Sequence, residues 1–322
     1  MDTIQCPHRL TTQPLQATRY PQQMIRKVIQ LAGKTLVVSL PSVWAKQHNV
    51  VKGADVEVIG DANKLCIIPS SVQIPKKTIS IDVRAYDSST IKSVLSVLHK
   101  SGYDEMELFY SAGQQAVVQE RLKTNLLGFE IVQQSKQRMV VQNVTGDADE
   151  SFEVLMRRVF LVTLELAKGV EEALREKEAN KAVSELLSLE ETNNKLTNYC
   201  HRILNKNPTV KNNFIYTIIW LQEKIADDYK EIINIIEKNK INRMRSKTNT
   251  FVQKTAYEIL QCIQEFYDVV YSKDMQQIAL TRERVKAITV DSKDNISIVF
   301  SSIRQHLLDG FGSLTALVFV QE

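Results

Sequence analysis

The chain has 322 residues, of which 43% are hydrophobic and 24% are charged, and its net charge at pH 7 is +4. This length suffices for two or three domains, and the composition is that of an ordinary globular protein. No apolar run approaches the roughly 18 residues that a membrane span requires, and the start lacks a basic-then-apolar signal pattern. The four cysteines lie too far apart for a zinc site or a redox motif. We therefore expect a cytoplasmic protein with reduced thiols and no membrane insertion.

The excess positive charge is concentrated near the N-terminus. Residues 1–75 contain eight Lys or Arg and four Asp or Glu, so the totals of 41 and 37 leave 33 of each beyond residue 75. A basic N-terminal part on a neutral remainder indicates an anionic partner for that part.

The first 70 residues divide into a tail and a small folded segment. Residues 1–22 combine three prolines with Thr and Gln and are predicted to be a disordered tail. Residues 23–70, called the head here, change hydrophobic period twice: a strand around Val37 and Leu40, a short helix over 43–48, then another strand. A segment this small usually needs a metal, disulfides or a second subunit to be stable.

Residues 77–145, called the α/β segment here, follow a Pro- and Ser-rich linker and alternate in type. A strand precedes a helix that follows Ser88 and Ser89 and ends at Gly102; a second helix ends at Gly128, and two paired strands complete the segment. The predicted order is β-α-β-α-β-β. This order suits either a ligand-binding module or a spacer.

Residues 148–320, called the helical segment here, are predicted to be all helical. No glycine occurs between Gly169 and Gly310, and Pro208 is the only proline. Apolar residues step by threes and fours along six stretches, and short connections between long amphipathic helices favour antiparallel packing. The pattern predicts three helices followed by three more.

The head carries several motifs that occur together in one known family. They are a basic pair at Arg26 and Lys27, Gly33-Lys34, a strand that ends at Pro41, a short helix, and the sequence KGAD at 52–55. In this combination residues 24–69 resemble the AbrB/SpoVT family of DNA-binding domains. The resemblance implies a swapped-hairpin β-barrel that forms only as a homodimer.

By the same resemblance, DNA contacts are expected from four basic side chains of the head: Arg26, Lys27, Lys34 and Lys46. Lys34 and Lys46 replace arginines that some members use. Lysine neutralises phosphate but lacks the bidentate fork that reads guanine, so we expect lower sequence selectivity. The alternative is a dimerisation module whose lysines are ordinary surface residues.

The helical segment contains the sequence LQEKIADDY at 221–229, similar to the L-E-R-I-G-D-H pattern of the PhoU family. The resemblance implies a pair of three-helix bundles. It also implies a divalent or ferric metal ion bound by acidic residues at Glu191, Glu223, Asp227 and Asp309. Asn194 and Gln305 stand where the family has carboxylates, and each loss of charge weakens such a site. The alternative is a bundle that keeps the fold without the metal.

Together these features predict a multi-domain α+β protein with an AbrB-like head, a small α/β middle unit and a PhoU-like all-α C-terminal part. Such fusions form a class of prokaryotic phosphate-uptake regulators, so the resemblance implies a DNA-binding transcriptional regulator of phosphate homeostasis. The alternative is a signalling adaptor that docks on a phosphate transporter ATPase or a sensor kinase, with a head that only dimerises. The sequence lacks a Gly-rich phosphate loop, a nucleophile elbow and a zinc-protease helix motif, so we do not expect an enzyme.

Overall fold

The computed structural model describes residues 25–31, 33–61, 64–69, 76–145, 152–175, 182–206, 213–241 and 250–319. About 65% of these residues are helical, and the chain is of the mixed α+β class with small sheets and a helical C-terminal region, as the sequence predicts at this level. The chain divides into two compact units, Met1–Pro75 and Lys76–Glu322. The predicted tail over 1–22 and the helix start predicted at Pro208 lie outside the described residues.

The described head contains two hairpins and one short helix. Strands β1 (Ile29–Leu31) and β2 (Thr35–Val37) pair antiparallel, helix α1 (Ser42–Gln47) follows, and strands β3 (Val56–Asp61) and β4 (Lys64–Pro69) form the second hairpin. Leu40 lies outside β2, contrary to the prediction. Because Ile29 pairs with Val37 at the start of β1, that strand offers no partner for the residues that follow Val37.

Two turns of the head have the backbone conformation that their residues predict. Asn49, just after α1, has φ 51°, and Gly53 has φ 85° in the turn before β3. Asparagine tolerates this left-handed region and glycine adopts it without a steric penalty. The chain can therefore reverse direction between α1 and the second hairpin.

The α/β segment has the predicted element order. It comprises β5 (Thr78–Asp82), α2 (Ser88–Lys100), β6 (Glu105–Phe109), α3 (Gln115–Asn125), β7 (Phe129–Gln134) and β8 (Arg138–Asn143). The sheet order is β5-β6-β8-β7, with β5 and β6 parallel and the other pairs antiparallel. Asp87 caps α2 by accepting a 2.7 Å hydrogen bond from Thr90 N, so it satisfies one amide that the helix leaves without a partner.

The described part of the helical segment contains the six predicted helices: α4 (Phe152–Arg175), α5 (Ala182–Lys206), α6 (Asn213–Ile241), α7 (Thr250–Ser272), α8 (Met275–Ala287) and α9 (Asn295–Phe319). The apolar stripe of α4 is buried from Leu155 to Leu174. In α6 the stripe is buried from Ile218 onward, but Phe214 is 37% exposed. None of the described helices is long and apolar enough to cross a membrane.

The α/β segment packs directly on the helical segment. Helices α2 and α3 both lie against α5, and the two segments belong to one compact unit. The sequence predicts both segments but not this contact, which lies on α5 and is joined to α6 by the ion pair of Lys100 with Glu223.

Candidate functional site

The four predicted DNA-binding side chains are all exposed on the head. Arg26 and Lys27 precede β1, Lys34 lies in the turn between β1 and β2, and Lys46 lies in the last turn of α1. Their charged groups are therefore accessible to an anionic partner.

Residues at both ends of α1 fix its length, and this places Lys46 in its last turn. Pro41 stands at the N-cap, where its missing N–H does no harm, and its carbonyl accepts a 2.9 Å bond from Ala45 N. At the other end His48 N bonds to Trp44 O at 3.0 Å, and Asn49 turns the chain. A cation in the last turn also interacts favourably with the helix dipole.

The head leaves most of its large apolar side chains uncovered. Pro69 is the one buried residue among those of the head whose burial is described. Ten large apolar side chains are more than half exposed: Ile25, Val28, Ile29, Leu31, Leu36, Val38, Val43, Val51, Val58 and Leu65. The part of the head whose burial is described therefore has almost no core of its own within one chain.

The structure does not bring the four predicted metal ligands together as a metal site. Within the described residues, no group of three or more His, Cys, Asp or Glu side chains could hold a metal ion. Glu191 on α5 is exposed, and Asp309 on α9 is exposed and accepts a 2.8 Å hydrogen bond from Gln305. Glu223 and Asp227 lie on α6, where each faces a lysine.

Three carboxylates on α5 and α6 are each paired with an ammonium group. Lys100 Nζ lies 3.0 Å from Glu223 Oε2, and Lys224 Nζ lies 2.6 Å from Asp227 Oδ2. A third carboxylate, Glu190, is 1% exposed, and its Oε2 lies 2.9 Å from Lys230 Nζ. Oxygen ligands of hard cations must be free to coordinate, so the residues present do not fit a metal ion.

Glu190 is a residue that the sequence reasoning missed in favour of its neighbour Glu191. Its other oxygen accepts a 2.6 Å bond from Asn194 Nδ2, one helical turn later. Burial raises the pKa of Glu190, while Lys230 opposes this shift. The signal in the sequence was the spacing of four from the apolar Leu186, which is also buried.

Arg121 of α3 is close enough to the same carboxylates for their charges to act on it. Its Nε donates to Ser96 Oγ at 2.9 Å and its Nη1 donates to Asn125 Oδ1 at 2.6 Å. Burial lowers the pKa of Arg121, and the nearby charges of Glu223, Glu190, Glu120 and Asp227 oppose that effect. The guanidinium therefore adds a fourth positive charge beside Lys100, Lys224 and Lys230.

No family model, curated protein or solved structure matches this chain significantly. The function is therefore inferred from the residues and their arrangement.

Proposed function

We propose that the chain is a homodimeric DNA-binding regulator of phosphate uptake, with an AbrB-like head and a PhoU-like helical segment. The observation that carries the proposal is the uncovered apolar surface of the head, with ten large side chains more than half exposed. Stable monomers rarely leave so many large apolar side chains of one small segment exposed. Each hairpin of the head is also a separate two-stranded sheet, which is only marginally stable in water.

A second copy of the head is the occupant that fits this surface. Burying a Val, Leu or Ile side chain fully contributes about 1.5–3 kcal/mol. Even partial burial of ten such side chains on each copy offsets an association cost on the order of 4–15 kcal/mol. In the proposed dimer the two hairpins of each copy interleave with those of the other in one barrel.

The helical segment is proposed to be a pair of three-helix bundles of the PhoU type. Helices α4, α5 and α6 all pack on one another, and so do α7, α8 and α9, while α6 on α9 and α4 on α7 join the two groups around one hydrophobic core. This grouping supports the proposal, as does the similarity of residues 221–229 to the PhoU pattern. The link to phosphate supply rests on that similarity and on the joining of such a segment to an AbrB-like head.

The proposed mode of DNA binding is dominated by the phosphate backbone. Arg26, Lys27, Lys34 and Lys46 are exposed cations that can displace counterions from DNA. Phosphate contacts fix position but carry no sequence information. Three of the four are lysines, so the head is expected to bind many duplexes with modest discrimination.

The proposal is tested by titrating labelled duplex DNA with the full-length protein over a range of salt concentrations. We expect Arg26→Ala combined with Lys34→Ala to weaken binding to unrelated sequences alike. It should reduce the slope of log affinity against log salt by about four for the dimer, because two cations are lost from each copy. The matched control, Lys254→Ala with Lys293→Ala, removes two exposed lysines of the helical segment and should leave the slope unchanged.

Negligible affinity of the wild-type dimer at low salt would refute the DNA-binding role. In that case the head serves dimerisation alone, and the chain is better described as an adaptor for a transporter or kinase. Genome-wide crosslinking to DNA at high and low phosphate tests the link to phosphate supply separately.

A further inference from the structure

The carboxylates Glu190, Glu223 and Asp227, called the carboxylate face here, lie on α5 and α6 beneath the α/β segment. We infer that lysine side chains occupy the carboxylates of this face in place of a metal ion, and that one of them, Lys100, fastens the α/β segment to the helical segment. This inference does not depend on the proposed DNA binding, because it concerns only the unit Lys76–Glu322, but the metal ion in question is the one that the proposed PhoU-like fold implies.

Each carboxylate of the face is held by its own ammonium group. Lys100 Nζ lies 3.0 Å and 3.4 Å from the two oxygens of Glu223, so it contacts the carboxylate on both sides. Lys230 Nζ lies 2.9 Å from Glu190 Oε2. A metal ion that used either carboxylate would have to displace the lysine first.

The pairing of charges on the face also opposes a metal ion. Lys100, Lys224 and Lys230 each pair with one of the three carboxylates, and the charge of Arg121 acts on the same group. A divalent cation would meet carboxylates that are already paired, and it would be repelled by ammonium groups within a few ångströms. Asn194 adds a neutral amide to Glu190 in place of a further carboxylate.

The ion pair of Lys100 with Glu223 links the α/β segment to the helical segment. Lys100 is the last residue of α2, and Glu223 is on α6, 123 positions later in the chain. The Lys100 and Glu223 side chains are only 21% and 17% exposed, so solvent screens this pair less than a surface pair. A metal ion can be lost to a chelator, whereas a lysine side chain remains attached. The contact between the two segments is therefore independent of metal supply.

The experiment measures Mn²⁺ uptake by the full-length protein, by calorimetry and by the thermal unfolding midpoint with Mn²⁺ or chelator. We expect the wild-type protein to bind no Mn²⁺ and its midpoint to be unchanged by either addition. We expect Lys100→Ala combined with Lys230→Ala to lower the midpoint, to take up Mn²⁺ and to recover part of the loss when Mn²⁺ is added. Adding Glu223→Gln to this variant should abolish the uptake.

Lys92→Ala is the matched control, since Lys92 is also on α2 and pairs with Glu120 at an exposed position, 3.0 Å apart. It should change neither the midpoint nor the Mn²⁺ response. Stoichiometric Mn²⁺ uptake by the wild-type protein would overturn the inference, and so would a double variant that folds but takes up no Mn²⁺. If the double variant does not fold, Mn²⁺ uptake and the thermal unfolding midpoint are measured on the single Lys230→Ala variant instead.

Discussion

Arg202 of α5 is fully buried and forms an ion pair with Asp104, which lies between α2 and β6. The same guanidinium donates to the carbonyls of Tyr103 at 2.6 Å and His99 at 3.3 Å. Lys206 Nζ adds a 2.7 Å contact to Asp104. Burial alone would raise the pKa of Asp104, but the hydrogen bonds and charges around it lower that pKa overall. The network connects the chain just after α2 to α5. Lys100, the last residue of α2, forms its ion pair with α6 close to this point in the chain.

Replacing Arg202 by methionine should be strongly destabilising. The change leaves two backbone carbonyls and part of Asp104 without their donor, and breaking a buried ion pair from one side costs about 3–5 kcal/mol. Trp220 lies on α6, so its fluorescence in a Trp44→Phe background follows urea unfolding of the second unit. The control is Arg84→Met, because Arg84 pairs with Asp82 at the surface; we expect a change within about 0.5 kcal/mol. Equal effects of the two variants would contradict the role given to Arg202.

Stability of the second unit should fall as the pH drops below about 6.5, the ordinary pKa of histidine. The Nε2 atoms of His99 and His201 lie 3.1 Å and 3.2 Å from the carbonyls of Leu127 and Tyr216, and both Nδ1 atoms are buried without a partner in the described structure. Burial lowers the pKa of His99 to about 3 and that of His201 to about 4.

Because the folded pKa values are depressed, the unfolded chain takes up protons first as the pH falls. Each histidine then reduces the free energy of unfolding by about 1.4 kcal/mol per pH unit, from about pH 6.5 down to its folded pKa. Urea unfolding from pH 7 to 4.5 measures the slope. His201→Gln keeps a donor for Tyr216 but does not titrate, so the slope should fall by about 1.4 kcal/mol per pH unit. An unchanged slope would mean that His201 does not contribute to the pH dependence of stability.

Two glycines of α9 should respond to alanine in opposite directions. A Cβ at Gly310 would lie 2.6 Å from Phe266 Cζ and 3.3 Å from Leu221 Cδ1, so Gly310→Ala overpacks the core and should cost about 1–3 kcal/mol. At Gly312 no atom lies within 4 Å of such a Cβ. Gly312→Ala should stabilise by about 0.5–1 kcal/mol through helix propensity. Thermal unfolding of both variants checks the contrast, and a destabilising Gly312→Ala would contradict the packing of α9.

An aspartate at Leu36 should weaken dimerisation. Leu36 is 70% exposed in the single chain, and in the proposed dimer its side chain belongs to the covered surface. A buried unpaired charge is highly unfavourable, so Leu36→Asp should shift the protein toward monomer in size-exclusion chromatography with light scattering. Leu280 on α8 is 66% exposed and provides the control. If Leu280→Asp disrupts the dimer and Leu36→Asp does not, the interface is on the helical segment.

Hydrophobic periodicity was sufficient to predict the elements of the second unit. The α/β order and the six helices follow from local patterns, since each element buries one regularly spaced face. The packing of α2 and α3 on α5 could not be predicted in this way. It depends on Arg202, a residue type that is rarely buried, and on partners about 100 positions away.

The sequence also did not distinguish the buried Glu190 from the exposed Glu191. Adjacent helix positions differ by about 100° in direction, so an error of one residue exchanges a buried for an exposed carboxylate. The lysines that neutralise the carboxylate face come from two helices, and only Lys224 is near its partner in sequence. The motif at residues 221–229 therefore predicts Glu223 and Asp227, but it does not predict that Lys100 forms an ion pair with Glu223.

The most direct test of the central claim, that a second copy completes the head, is the mass of the full-length protein by sedimentation equilibrium over a wide dilution range. One chain has a mass of 36.7 kDa. The account predicts about twice that mass, with dissociation accompanied by loss of the Trp44 environment in the head. A particle of single-chain mass that keeps an ordered head at every concentration would contradict it.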